Sequence, residues 1–157
     1  MIVVSNTSPI MNLVAIGQIN LLKQLYGEIF IPKTVLQELS IIHKEQLSER
    51  YLWIKTQPVI NQNMVDVLLL ELDKGEAEAI ALAIEMKADL LLLDERRARK
   101  IASHLGLRFI GLLGILIEAK RKMFIFSVKP LLDEMIAKAG FWVDKKLYER
   151  FLKETEE

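Results

Sequence analysis

The chain has no cysteine, which excludes disulfides, thiolate metal sites and cysteine nucleophiles and leans toward a reducing cytosol. It has no excess charge of either sign: 21 basic residues stand against 21 acidic ones. The molecule as a whole therefore exerts no pull on nucleic acid, and any such binding must come from a local patch. No apolar run reaches the length of a membrane span, and the start MIVVSNTSP lacks the basic and apolar regions of a signal peptide. GxGxxG, GxxxxGK and GxSxG do not occur, so dinucleotide, P-loop and hydrolase-elbow readings lose their main support. There is no repeat, low-complexity tract or linker. What remains is 157 residues with an apolar fraction of 52%, enough for one domain with a real core. The expectation is a single soluble, cytoplasmic domain over residues 1–157, with a helical extension from about residue 128.

The stretch GEAEAIALAIEMKADLLLLDE, residues 75–95, organises the rest. Ala77, Ile80, Ala81, Ile84 and Ala88 recur at helical spacing and give a small-residue face that can lie close to a sheet. Gly75 is read as the break after a preceding helix, with Glu76 in the first turn of the next, where a negative charge suits the dipole. Residues 90–93 form a short apolar run of the kind found in a strand covered on both faces, and Asp94 closes it. A helix feeding a parallel strand starts at the sheet's carboxyl edge and returns to the amino edge. Glu76 and Asp94 therefore belong at the same edge, where open α/β sheets bind ligands.

Taken in order, Ile2, Val3 and Val4 open the chain as a first buried strand. Ser8 reads as a helix N-cap with Pro9 at the first helical position. This leaves Asn6 at the carboxyl edge. Short helices to about Gly17 and over 19–26 lead to a second strand over 28–31, stopped by Pro32. A helix from Lys33 to about Arg50 carries Val35, Leu36 and Leu39 inward and Glu38 on another side. Residues 52–57 are a short strand or an extended connection. A helix over 61–72 ends at LDKG, read as a helix-ending turn. Helices over 95–105 and 111–122 flank a strand over 107–110. Ser127 to Pro130 introduce a helix to Lys138, and Asp144 caps a last one. Strands alternating with helices give an α/β fold with a mostly parallel sheet.

Asn6, Glu38, Glu76 and Asp94 thus come from four separate segments toward one edge. Crowded carboxylates raise one another's pKa unless a cation neutralises them, and Mg²⁺ or Mn²⁺ suits such oxygen ligands. Such an ion would serve phosphoryl chemistry. The bland alternative is that Glu38, Glu76 and Glu78 are solvated helix acids, with Glu76 merely complementing the helix dipole.

These residues carry a resemblance. VVSNTSPI, IPKTVLQEL, GEAEAIALA and LLLDERRAR, in this order and spacing, resemble the PIN domain, a fold of metal-dependent nucleases that includes VapC-type toxins. GLLGILIEAKRK and KPLLDEMIAKAGFWVDKKLYERFL are typical of a branch known only as a domain of unknown function. The resemblance runs through essentially the whole chain. It implies a three-layer α/β/α sandwich, Mg²⁺ or Mn²⁺ at the acidic edge, and hydrolysis of single-stranded or structured RNA. The family's four acidic positions fall on Asn6, Glu38, Glu76 and Asp94, and Thr7 and Ser8 match the polar residues after the first. The family usually has Asp where this chain has Asn6. An amide oxygen can still ligate a hard cation, but a unit-charge pair at about 4 Å is worth roughly 4 kcal/mol at an effective dielectric near 20. The smaller desolvation cost of a neutral group offsets much of that. The expectation is weaker metal binding and reduced activity.

Among the other candidates, Arg96, Arg97, Arg99 and Lys100 follow Asp94 directly. Arg96 and Arg97 are the pair expected to hold RNA phosphates; the alternative is a solvated face. Lys120, Arg121 and Lys122 end a helix, where cations are favoured anyway. His43 and His104 read as surface or cap residues. Phe141, Trp142, Tyr148 and Phe151 read as packing residues before base-stacking ones. The leading reading is a PIN-like endoribonuclease with catalytic Glu38, Glu76 and Asp94; the expectation extends to the toxin of a toxin–antitoxin pair with an antitoxin partner, and to a homodimer. The first rival is a PIN-fold RNA-binding or regulatory module that has lost cleavage. A second is a receiver-like phosphoacceptor domain, which the lack of an acidic pair after the first strand argues against.

Overall fold

The computed structural model describes residues 1–42 and 47–157. Its strands are β1 (Val3–Ser5), β2 (Ile29–Ile31), β3 (Ile54–Thr56), β4 (Leu90–Leu92) and β5 (Phe109–Ile110). All pair in parallel, in the order β3-β2-β1-β4-β5. The helices are α1 (Thr7–Ala15), α2 (Asn20–Tyr26), α3 (Lys33–Ile42), α4 (Leu47–Arg50), α5 (Gln62–Leu68), α6 (Lys74–Glu85), α7 (Arg96–His104), α8 (Leu112–Arg121), α9 (Lys129–Lys138) and α10 (Lys145–Glu154).

The three layers follow from the strand pleat. Val3 and Leu92 face one core together with Ile29 and Ile31, while Val4, Leu91 and Leu93 face the other beside Phe30. Successive side chains point to opposite faces, so a strand covered on both sides is apolar on both, as Val3 and Val4, Ile29 to Ile31 and Leu90 to Leu92 are. The first core is closed by α1, α2, α3, α8, α9 and α10, and the second by α5, α6 and α7. This is the three-layer α/β/α arrangement with a parallel sheet expected from the alternation of elements. Among the described residues no helix is long and apolar enough to cross a membrane.

Two helix starts differ from their sequence reading. Helix α1 begins at Thr7 with Asn6 in extended conformation at its N-cap, not at Ser8. Pro9 is still accommodated, because the first turn has no use for its missing N–H. LDKG does not end a helix: α5 stops at Leu68, and Asp73 starts α6. Asp73 Oδ1 accepts the Glu76 N–H at 2.8 Å, while Glu76 Oε1 accepts the Asp73 N–H at 3.1 Å. This reciprocal pair satisfies two donors that a helix start leaves free, worth about 1 kcal/mol or more, enough to offset the helix penalty of Gly75 in the same turn. Residues 52–57 resolve to β3, while α3 and α4 cover parts of the expected helix from Lys33 to about Arg50. His43 lies outside the described residues.

Residues 75–83 of α6 are all buried, so this helix is enclosed well beyond a single face. Glu78 is among them at 7% exposure, which corrects its reading as a solvated acid. Its Oε1 accepts the backbone N–H of Thr34 at 3.1 Å, in the first turn of α3. A carboxylate there satisfies a free donor and complements the helix dipole. Glu78 thereby fixes the start of the helix that carries Glu38. Glu78→Ala should lower stability by about 1–3 kcal/mol through the unpaired, part-buried donor and lost packing, seen as a lower urea midpoint at unchanged slope. Glu78→Gln should recover part of the loss; an unshifted midpoint in Glu78→Ala would show that the contact carries no weight.

Candidate active site at the carboxyl edge of the sheet

The strand order runs outward from β1 in both directions, so the connections reverse between β1 and β4. In open α/β sheets the crevice beyond such a reversal is where ligands bind. Ser5 pairs with Leu92 across it, and the Asn6 N–H continues the ladder to Leu92 O at 3.0 Å. Asn6 and Asp94 therefore leave adjacent strands at the same edge.

Asp94 is held by the start of α8. Its Oδ1 accepts the Leu112 N–H at 2.9 Å, and a Cβ placed on Gly111 would stand 2.7 Å from that same oxygen. Only glycine lets the backbone approach the carboxylate this closely. The other oxygen, Oδ2, is buried and, among the described residues, accepts no hydrogen bond. Burial pushes the Asp94 carboxyl above its ordinary value, against the opposing pull of the Leu112 N–H and the Arg99 guanidinium.

Glu38 repeats the device on α3. Its Oε2 accepts the Thr7 hydroxyl, and its Oε1 would lie 2.6 Å from a Cβ on Gly75. The glycine read as a helix breaker is instead the floor under a carboxylate. Glu76, next in sequence, is 7% exposed. Burial pushes its carboxyl up to about 7; the Asp73 N–H holds it down, while the nearby Asp73 and Glu95 carboxylates push it further up. Its reading as a solvated acid is thus corrected.

The residues expected to touch substrate divide. The half-buried Ser8 is engaged with Asn12, whose Nδ2 donates to the Ser8 hydroxyl at 3.1 Å and to its carbonyl at 2.8 Å. Arg96 and Arg97 are exposed and line a groove along α7 with Arg99, Lys100 and Ser103. Arg97 Nη1 reaches Glu71 O at 3.4 Å. Sequence reasoning assigned no role at this edge to Asp73, Glu95 or Gly111. The spacing Asp-x-x-Glu over Asp73 and Glu76 was the available signal for the first.

A family profile described as "DUF3368: PIN domain" matches residues 2–157. The chain belongs to the PIN domain family. Among solved structures it is similar to a PilT N-terminus domain protein of the hyperthermophilic archaeon Sulfolobus solfataricus, with a TM-score of 0.53 and 18% identity. That likeness covers 76% of this chain and 93% of the other, and at that identity it speaks for the fold alone. No curated protein matches. PIN domains are generally nucleases that act on RNA and use divalent metals.

The donor chemistry at this PIN edge fits a hard cation: one amide, three carboxylates, and in Asp94 Oδ2 a buried acceptor without a donor. The spacing is not closed. Among the described residues no three His, Cys, Asp or Glu side chains form a group that could hold a metal ion. Glu76 is engaged with Asp73 and Glu38 with Thr7, so an ion must compete with an N–H and an O–H for them.

A pH dependence follows for the metal-free protein. The folded pKa of Glu76 lies above its ordinary 4.5, at about 7. Folding therefore favours the protonated form, and the stability it adds is complete below pH 4.5 and lost as pH rises through about 7. Glu76→Gln, neutral and still able to accept the Asp73 N–H, should be more stable than wild type at pH 8 by on the order of 2 kcal/mol, with the gap closing toward pH 4. Parallel stability curves for the two proteins, measured by urea unfolding in EDTA, would contradict this.

Proposed function

We infer that this PIN domain is a metal-dependent endoribonuclease whose site is the carboxyl edge between β1 and β4. The observation that carries the reading is Asp94 at the topological reversal, with a buried oxygen lacking a donor and a raised pKa, beside a groove of arginines. Glu38, Glu76 and Asp94 would hold Mg²⁺ or Mn²⁺, with Asn6 as a neutral fourth ligand. The ion supplies the acidification of a water and the screening of phosphate charge that phosphodiester hydrolysis needs. The protein's own groups do the rest. Gly75 and Gly111 let Glu38 and Asp94 in, and the Thr7 hydroxyl and the Leu112 N–H orient them. Arg96 and Arg97 steady the RNA phosphates, with Thr7 and Ser8 as polar contacts at the start of α1.

The proposal includes a role as the toxin of a toxin–antitoxin pair and a homodimeric state. Exposed Ile60, Val67 and Leu70 around α5, and Met123 and Phe126 after α8, offer apolar surface to a protein partner. A second reading, a PIN-fold module that binds RNA without cutting it, is favoured by the missing charge at Asn6 and by the engagement of Glu76 with Asp73.

Cleavage of a fluorophore-quencher single-stranded RNA in Mn²⁺ separates the two. The nuclease should cut, stop in EDTA, and lose at least the 10–100-fold typical of damage to a metal site in Asp94→Asn. Gly75→Ala should cut more slowly while folding as well as wild type, since alanine favours helix and only the Glu38 carboxylate has to move. Asn6→Asp should raise both Mn²⁺ affinity and rate. RNA binding with no cleavage in wild type or Asn6→Asp would instead establish the binding module.

A further inference from the structure

Beside the acidic edge runs a second groove, of about 440 Å³, on the far side of Asp94 from the acids of α3 and α6. It is lined by Gly111 and Gly114 at the start of α8 and by Leu113, Phe141, Val143 and Leu147. Trp142 stands at its rim and is 80% exposed. The other aromatic residues of this region are committed: Phe151 is buried in the core, and the Tyr148 hydroxyl donates to Asp133 at 2.5 Å. Trp142, Phe141 and Phe109 line the groove; Phe141 is half-buried against the core, and Trp142 alone of the three is exposed.

The segment bearing them is short and tied at both ends. The Phe141 N–H returns to Met135 O at 3.2 Å, after Gly140 in a left-handed turn. On the other side Asp144 caps α10 by accepting the Leu147 N–H at 2.7 Å. Trp142 is thus presented from an anchored loop. A large exposed ring carried on an anchored loop beside an apolar groove has the makings of a stacking platform.

The groove does not stand alone. Arg99 and Phe109 line both it and the groove along α7, with the guanidinium 5.1 Å above the Phe109 ring. Arg99 is also the cation acting on Asp94. The two grooves therefore meet beside the carboxylate at the centre of the candidate site. Their chemistries are complementary: one is lined by Arg96, Arg97, Arg99 and Lys100 beside Glu95, the other, away from the shared Arg99 and Asp94, by apolar and aromatic groups. Among the described residues no ion pair engages Arg96 or Lys100, whereas Lys120, Arg121, Lys129 and Lys138 each have a carboxylate partner. Unpaired cations on one wall and a stacking ring on the other form the combination that holds a single nucleic-acid strand: phosphates along the cations, a base on the ring.

We propose that the groove between the start of α8 and Trp142 is a subsite for one unpaired nucleobase of the strand, flanking the phosphate presented to Asp94, with Trp142 stacking on that base. The subsite restricts binding to single-stranded or locally unpaired nucleic acid, because a paired base cannot leave its stack to reach the ring without added cost. It rests on the nuclease-edge reading for its location, and its test does not depend on cleavage.

Trp53, far off on the β3 side, is replaced by Phe so that Trp142 is the only tryptophan. The full-length chain is then titrated in EDTA with a short, non-cleavable 2′-O-methyl oligoribonucleotide, single-stranded or annealed to its complement. The single strand should quench Trp142 emission and the duplex should not. Trp142→Ala should weaken single-strand binding about tenfold, within the range of one base–aromatic stack, and Trp142→Phe should restore most of it. Lys100→Ala should weaken single strand and duplex alike and reduce the salt slope by about one ion. Unchanged affinity in Trp142→Ala, equal quenching by duplex, or no binding of the single strand would overturn the subsite and leave the groove to a protein partner. Quenching without cleavage in Mn²⁺ would keep the subsite and overturn the nuclease reading; cleavage indifferent to Trp142 would do the reverse.

Discussion

Glu38 and Asp94 each press into space that a side chain on a neighbouring helix would otherwise fill, Gly75 beneath the first and Gly111 beneath the second. These two contacts bring helix backbone against carboxylate oxygen at the open edge of the sheet. The arrangement of α3, α6 and α8 around that edge has to satisfy both. A methyl group at either glycine would displace a carboxylate before it disturbed the core. The candidate site of this PIN domain and the packing of its helices are therefore coupled through these two contacts.

Holding acids in this way costs stability, and the surrounding structure shows how the cost is limited. Glu76 is nearly buried yet has the Asp73 N–H, Asp94 has the Leu112 N–H, and Glu38 has the Thr7 hydroxyl. Each partner is a single neutral donor, which lowers a carboxylate's energy without neutralising it. What is left over shows in the raised pKa values of Glu76 and Asp94 and in the unpaired Asp94 oxygen. Sites that perform chemistry commonly retain such unrelieved charge. Next to them, Arg99 links the acidic edge to the cations of α7 and to the aromatic groove beyond α8.

Much of this was legible from residue order. The apolar runs over Val3, Val4 and over residues 90–93 announce strands covered on both faces, and the alternation with helices puts Asn6 and Asp94 on one edge. The helix starts were less legible, because Gly75 and LDKG match a stop signal and a start signal at once. The Asp73–Glu76 reciprocal bonds decide between them, and those depend on geometry that spacing alone leaves open. The solvated alternative for Glu78 fails for a related reason. Nothing local distinguishes a solvated glutamate from one that reaches across to cap another helix 44 positions away in sequence. The second groove was out of reach, since it joins the start of α8 to a loop before α10 through contacts that no periodicity encodes.

Asn6, Glu38, Glu76 and Asp94 are proposed to hold a hard cation together, in competition with the Asp73 N–H on Glu76 and the Thr7 hydroxyl on Glu38. Diffraction from Mn²⁺-soaked crystals, recorded on either side of the manganese absorption edge, tests it most directly. The expected result is an anomalous peak between these four side chains, with Glu76 drawn off the Asp73 N–H. An edge without such a peak, with the Asp73–Glu76 pair intact at saturating Mn²⁺, would contradict it.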